Sequence, residues 1–188
     1  MTLSSLLAVL LGICRFRRGP EDMPYSPSLL IALLVGCAAL QVGFNVYNGA
    51  APGVAAALLV GGAAFIGALY LLLRGRGKSL RFVQTTTALA AVYLLFGVVI
   101  DALISGLSLA QLSEEILKHP GQPPALTTLQ TLVIPGVVAL VVWQFCVLVG
   151  IVRRALELPV AGAVLVFLLL FLVDWFVASL VASAMGAV

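Results

Sequence analysis

Few side chains in this sequence are able to do chemistry, and most of those lie inside long apolar runs. Asp101 and Asp174 each interrupt such a run, and Gln41, Asn45 and Thr131 do the same in others. Acidic residues inside a membrane are costly and often mark proton or ion pathways. One hypothesis is therefore a small transporter or proton-linked carrier that uses these residues.

The same residues have a structural interpretation, in which polar side chains fix helix packing at about 0.6 kcal/mol per contact. Counted at about 1.5 Å per residue, Asn45, Asp101 and Asp174 reach roughly the same depth from one membrane edge. Thr131 reaches that depth from the other edge. The sequence predicts an intramembrane polar layer in the outer third of the membrane, and leaves open whether its role is structural or proton-carrying.

No other group of residues points to catalysis. His119 is the only histidine and lies outside the apolar runs, which makes a poor metal site. The chain has no G-x-S-x-G setting for a nucleophilic serine and no glycine-rich phosphate loop. Cys14, Cys37 and Cys146 show no C-x-x-C spacing and suit apolar packing. We therefore expect no enzyme, no metal and no cofactor.

The composition indicates an integral membrane protein. Of 188 residues, 63% are apolar and only 9% are charged, with a mean hydropathy of +1.22. Soluble domains contain about 25% charged residues, so this chain could not cover a water-exposed surface. The net charge of +3 is too small and too dispersed to indicate nucleic-acid binding.

Five apolar runs are long enough to cross about 30 Å of hydrocarbon, which takes about 20 residues. An open sheet cannot satisfy its backbone inside lipid, so each run is predicted to be a helix. We expect an all-α integral membrane fold, a five-transmembrane-helix bundle within a membrane domain at 28–188, with Arg153 and Arg154 ending the fourth helix. The expected spans are about 28–49, 53–73, 83–104, 126–152 and 158–182. Between the third and fourth, the less apolar residues 105–125 leave room for a short surface helix.

The first 18 residues predict an N-terminal amphipathic interfacial helix with a basic end. The apolar run is too short to span a membrane, but its large side chains repeat with helical spacing. Those side chains are Leu3, Leu6, Leu7, Leu10, Leu11 and Cys14. The alternative is a short extra helix that packs against the bundle.

Lysine and arginine predict the orientation of the bundle. With five spans, only Lys118 lies on the side opposite the other nine basic residues of the ten in the chain. Those nine are Arg15, Arg17, Arg18, Arg74, Arg76, Lys78, Arg81, Arg153 and Arg154. Such asymmetry places the N-terminus in the cytoplasm and the C-terminus outside, on the periplasmic or extracellular side. The resulting cytoplasmic basic face would attract anionic lipids as partners.

Residues 19–27 predict a proline-rich hinge that leads into the first span. Its members are Gly19, Pro20, Glu21, Asp22, Pro24, Ser26 and Pro27. Ser26 and Pro27 have the residue types of a helix N-cap and first turn. Glu21 and Asp22 are expected to pair either with the nearby arginines or, as we favour, across loops with residues 74–81 and 153–154. We also expect this segment to be a docking surface for a cytoplasmic partner.

Two stripes of small residues predict close helix packing. Gly53, Ala57 and Gly61 repeat every four residues in the second span, and the same spacing follows Asp174 in the fifth. That second stripe consists of Ala178, Ala182 and Gly186. Small residues let helix backbones approach closely, so Asp174 is expected to face a neighbouring helix. The same stripes would also suit a homo-oligomer.

Two segments resemble the Yip1-like family of small five-span membrane proteins. They are FRRGPEDMPYSPSLLIALL at 16–34 and WQFCVLVGIVRRALELPVAGAVLVFLLLFLV at 143–173. The resemblance implies a cytoplasmic N-terminal segment and an external C-terminus, without a catalytic motif. Eukaryotic members act in vesicle traffic and bind small GTPases through a longer N-terminal region, whereas this compact form resembles the bacterial branch. The expected function is a non-enzymatic scaffold or partner subunit of a membrane assembly.

Overall fold

The computed structural model describes residues 3–105, 107 and 127–186, and every regular element within those ranges is helical. Lys118, His119 and the short helix predicted after residue 105 lie outside the described residues. The helices are α1 Leu3–Cys14, α2 Pro27–Tyr47, α3 Pro52–Gly75, α4 Phe82–Ser105, α5 Thr128–Leu156 and α6 Val160–Ala184. Single 3₁₀ turns lie at Pro20–Asp22 and Ser79–Arg81.

Within the described residues, five helices, α2 to α6, are long and apolar enough to cross a membrane, as the sequence predicted. Their outer surfaces carry many large exposed apolar side chains, among them Ile31, Leu132 and Phe171. An apolar surface of this extent is unfavourable in water and is suited to lipid.

The five long helices pack in a ring in the order α2, α3, α6, α5 and α4, and α4 contacts α2 again. The contact between α3 and α6 is the most extensive. The segments 15–18 and 74–81 and the last turn of α5, which contains Arg153 and Arg154, meet at one end of the ring, which we call the basic end. Fully buried core residues such as Leu73 and Val152 lie near this end, whereas no residue from Thr128 to Cys146 of α5 is buried.

Side chains cap the helices at two of the entry turns. Ser26 Oγ accepts a hydrogen bond from the Leu29 amide at 3.3 Å, with Pro27 in the first turn of α2, as the sequence predicted. At the start of α5, Thr127 Oγ1 accepts from the Gln130 amide at 3.3 Å. Gln130 Oε1 in turn accepts from the Thr127 amide at 2.9 Å, which completes a capping box.

The end of α5 differs from the prediction. Arg153 and Arg154 were expected to end the fourth helix, but the helix continues through them to Leu156. Basic residues interact favourably with the C-terminal end of the helix dipole and do not break the backbone. The helix ends instead at Glu157, whose φ of 53° is left-handed, and Pro159 follows as the N-cap of α6.

Helix α1 packs against α4 and α5, as the alternative interpretation expected. Its buried residues are Val9, Leu10, Ile13 and Cys14, and burial raises the pKa of the Cys14 thiol. The predicted apolar face included Leu7 and Leu11, but these two side chains are exposed and the face that packs is rotated away from them. The position of α1 in the membrane interface stays a prediction.

Candidate functional site

Glu157 joins two interhelical loops at the basic end. Its Oε2 lies 2.6 Å from Lys78 Nζ, and its Oε1 accepts a hydrogen bond from Arg81 Nη1 at 2.8 Å. Lys78 and Arg81 belong to the loop between α3 and α4, whereas Glu157 lies between α5 and α6. One carboxylate therefore holds together the two loops that connect four of the five long helices.

Arg154 joins α5 to the N-terminal segment, which we define as residues 15–25. Its Nη2 donates to the Phe16 carbonyl at 2.7 Å, and its Nη1 lies 3.7 Å from Glu21 Oε1. The contact between Glu21 and Arg154 is a pairing across loops, as we favoured from the sequence.

Two further contacts hold the N-terminal segment. Gln84 at the start of α4 donates from Nε2 to the Met23 carbonyl at 2.8 Å and to the Glu21 carbonyl at 3.2 Å. Among the described residues, Asp22 makes no pairing across loops as we expected; its Oδ2 accepts from the Gly19 amide at 2.9 Å and stabilises its own turn. The segment is thus attached to α4 as well as α5.

Burial reduces the part of the predicted hinge that is accessible to a cytoplasmic partner. Gly19 and Pro20 are buried, as is Met23, whereas Tyr25 is exposed. Only part of the hinge therefore packs against the bundle, and Glu21, Asp22 and Pro27 are exposed. That this segment is a docking surface stays a prediction.

Two residues at the basic end adopt left-handed backbone conformations that glycine usually takes. Phe16 has a φ of 60° and Glu157 a φ of 53°. Phe16 ends α1 in a Schellman arrangement, in which the Arg17 amide donates to the Gly12 carbonyl at 2.9 Å. Its ring lies beside Gly150 of α5, 3.5 Å from where a Cβ would be. Such strained positions cluster at functional sites.

Six of the nine basic residues remain outside the ion pairs. Lys78, Arg81 and Arg154 are paired with acids. In the described part of the chain the other six have no ion pair, and all are exposed. They are Arg15, Arg17, Arg18, Arg74, Arg76 and Arg153. The basic end is therefore internally braced and still carries excess positive charge.

Acid is expected to weaken the ion pairs that Glu157 makes with Lys78 and Arg81, which we call the brace. Hydrogen bonds from Lys78 and Arg81 hold the pKa of Glu157 below its usual value. The stabilisation is therefore present above the unfolded-state pKa of about 4.3 and is lost as the pH falls through the lower folded-state value. We expect Glu157→Gln to unfold at a lower temperature than wild type at pH 7, with the difference shrinking below about pH 4. Thermal unfolding in detergent from pH 7 to 3 measures this, and a difference independent of pH would contradict it.

The predicted polar layer makes no hydrogen-bonded network between helices. Asn45 Nδ2 donates to the Gln41 carbonyl at 2.8 Å, and Thr131 Oγ1 donates to the Thr127 carbonyl at 3.0 Å. Both residues therefore satisfy their side chains on their own helix. Within residues 3–105 and 127–186, no hydrogen bond or ion pair joins two layer residues of different helices.

Two acidic members of the layer lie within electrostatic range of one tyrosine. Tyr93 of α4 is within this range of Asp101 on the same helix and of Asp174 on α6. Cys37 of α2 is also within this range, and its Sγ donates to the Ala90 carbonyl at 3.4 Å. In the described residues no hydrogen bond or ion pair joins Tyr93 to either carboxylate, so these groups are near one another without forming a connected site.

The small-residue stripes of α3 and α6 lie against each other. Ala57 and Gly61 are buried on α3, and Ala178 and Ala182 are buried on α6. A Cβ added at Gly61 would lie 2.8 Å from Asp174 Oδ1, so that carboxylate faces α3. The stripes are shorter than predicted, because Gly53 is only partly buried.

Gly186 also does not take part in this packing. It lies beyond the end of α6, is exposed, and has a left-handed φ of 63°. The packed part of the α6 stripe therefore ends at Ala182.

The basic end contains two small cavities. One of about 20 Å³ is lined by Phe16, Arg18, Gly150 and Arg154 among others. A second of about 10 Å³ lies nearby and is lined in part by Glu21 and Gln84. A cavity of 10–15 Å³ holds about one water molecule, so neither encloses a substrate. In the described ranges no group of three or more His, Cys, Asp or Glu residues is placed to hold a metal ion.

No family model, no curated protein and no solved structure matches this chain. Its function is therefore argued from the basic end and the polar layer themselves. Sequence reasoning missed Glu157, the acid of the brace, and Gln84, which holds the N-terminal segment. The available signal for Glu157 was its place three residues after Arg154 and two residues before the helix-breaking Pro159.

Proposed function

We propose that this chain is a non-enzymatic multi-pass membrane protein that serves as a scaffold or partner subunit of a membrane assembly. The observation that carries the proposal is the basic end, where Glu157 and Arg154 brace three chain segments while six arginines stay exposed outside the ion pairs. A rigid surface that keeps its charge suits recognition of a negatively charged partner.

Three further considerations support this role. The positive-inside rule favours a cytoplasmic basic end, and the resemblance to the bacterial branch of the Yip1-like family favours a bacterial inner membrane. The resemblance to the Yip1-like family points to the same kind of non-catalytic membrane protein. Anionic lipids would also be attracted to this face, at about 1 kcal/mol per Lys or Arg near the surface.

Purification of the full chain from its native membrane in mild detergent tests the proposal. We expect a complex of fixed stoichiometry whose partner, once identified and purified, binds the chain again in reconstitution. Neutralising two exposed arginines, with Arg74→Gln and Arg76→Gln, is expected to slow association about tenfold at low salt and to weaken its salt dependence. The proposal would be contradicted if the chain purified without a partner, or if the association rate and its salt dependence were the same in the variant as in wild type.

A proton-linked carrier is the second candidate, favoured by two carboxylates inside the bundle, Asp101 and Asp174, that lie within electrostatic range of Tyr93. Asp174→Asn separates the two, because it keeps the side-chain shape and removes the carboxylate. A scaffold is expected to bind its partner unchanged with this substitution. A carrier would instead lose pH-dependent flux in proteoliposomes, and that result would replace the scaffold proposal.

A further inference from the structure

We propose that an anionic phospholipid of the surrounding membrane binds in a cleft between the N-terminal segment and α5. The proposal goes beyond the scaffold role and does not depend on it. Its starting point is the cavity of about 20 Å³ at the basic end, which Arg18 and Arg154 line together.

The lining of the cavity matches a phosphate bound at its mouth. Its walls are largely apolar, formed by Phe16, Val147 and Ile151 among others, and the two charged residues that line it are Arg18 and Arg154. The space accommodates one small group, about the size of a water molecule or of a single phosphate oxygen. Guanidinium groups bind phosphate with paired hydrogen bonds. Because the cavity is so small, the rest of a headgroup would lie outside it.

The balance of charge around the cleft favours an anion. Glu21 is the acid that contacts Arg154, at 3.7 Å, and Arg154 also donates to the Phe16 carbonyl. Within the described residues Arg18 makes no ion pair, and neighbouring Arg15 and Arg17 are likewise exposed without one. Asp22, whose Oδ2 accepts from the Gly19 amide, is a second nearby carboxylate, so four arginines of this region outnumber its two acids.

The lateral face of α5 explains why the anion is a lipid. Trp143, Cys146 and Gly150 lie at positions i, i+3 and i+7 of α5, so they share one face of the helix, and this face leads to the cavity. Trp143 and Cys146 are exposed on the outside of the bundle. Trp143 lies eleven residues from Arg154, about 16 Å along the helix. A lipid with its phosphate at the arginines would place the middle of an acyl chain beside Trp143.

Fluorescence quenching of Trp143 tests the proposal directly. The chain has two tryptophans, so Trp175→Phe leaves Trp143 as the sole emitter. The full chain is reconstituted in phosphatidylcholine vesicles with an equal small fraction of brominated phosphatidylglycerol or brominated phosphatidylcholine. We expect several-fold stronger quenching by the brominated anionic lipid.

Two arginine variants locate the binding. Arg18→Gln is expected to reduce the preference for the anionic lipid to near unity, whereas Arg74→Gln, on the same end but away from the cavity, is expected to preserve it. Circular dichroism and unquenched Trp143 emission establish that each variant is folded. Equal quenching by both lipids would overturn the proposal. If both variants lost the preference for the anionic lipid equally, the lipid would be attracted to the basic end in general and not bound in the cleft, which would also overturn the proposal.

Discussion

A Gly61→Ala variant is expected to unfold at a much lower temperature than wild type. The added Cβ would lie 2.7 Å from the Asp174 carbonyl oxygen and 3.0 Å from Ala178 Cβ. A backbone oxygen cannot rotate away, so α3 and α6 would have to separate along their most extensive contact. Overpacking of this kind costs about 1–3 kcal/mol, and Gly61→Leu is expected to cost more. Thermal unfolding in detergent, followed by circular dichroism, measures the change.

Gly62→Ala is the matched control. Gly62 is the next residue of α3, and a Cβ added there meets nothing within 4 Å. Alanine favours the helix over glycine by about 1 kcal/mol, so this variant is expected to be as stable as wild type or more so. If both substitutions lowered the unfolding temperature equally, the effect would not come from contact between α3 and α6.

Arg154→Ala is expected to release the N-terminal segment from α5. The change removes the hydrogen bond to the Phe16 carbonyl and the contact with Glu21. A hydrogen bond to a charged group contributes about 1.5–3 kcal/mol, and exposure to solvent favours the lower value. Limited trypsin digestion at Arg17 and Arg18 is therefore expected to be about tenfold faster in the variant, because about 1.4 kcal/mol corresponds to a factor of ten.

Arg153→Ala provides the control for this experiment. It removes the same charge from the same turn, so the charge asymmetry that orients the bundle is equal in both variants. Arg153 is exposed and makes no ion pair within the described residues. Digestion at wild-type speed is expected for Arg153→Ala. Equal acceleration in both variants would contradict the role assigned to Arg154.

The basic end also relates the proposed roles to one another. Glu157 and Arg154 brace the loops, while Arg18 lines the lipid cleft and Arg74 and Arg76 lie apart from it. A partner protein and a lipid would thus use different arginines of the same end. The separate variants allow one proposal to fail without the other.

The sequence by itself determined the helices and the small-residue faces. Apolar runs of about 20 residues have one stable form in lipid, because only a helix satisfies its own backbone there. Breaking residues such as Pro27 and Pro52 then set several helix starts to within a few residues. The predicted end of α5 was wrong by a few residues, because Arg153 and Arg154 add positive charge but do not break a helix.

Only the tertiary structure decided which polar groups meet. Glu157 and Arg81 are 76 residues apart, and Arg154 and Phe16 are 138 apart, so no local spacing connects them. The orientation of α1 also depended on packing, since a helix that is apolar on several sides can present any of them to the bundle. A sequence pattern limits which faces of a helix can pack, but the face that does pack and the partner of each side chain follow from how the helices are arranged around one another.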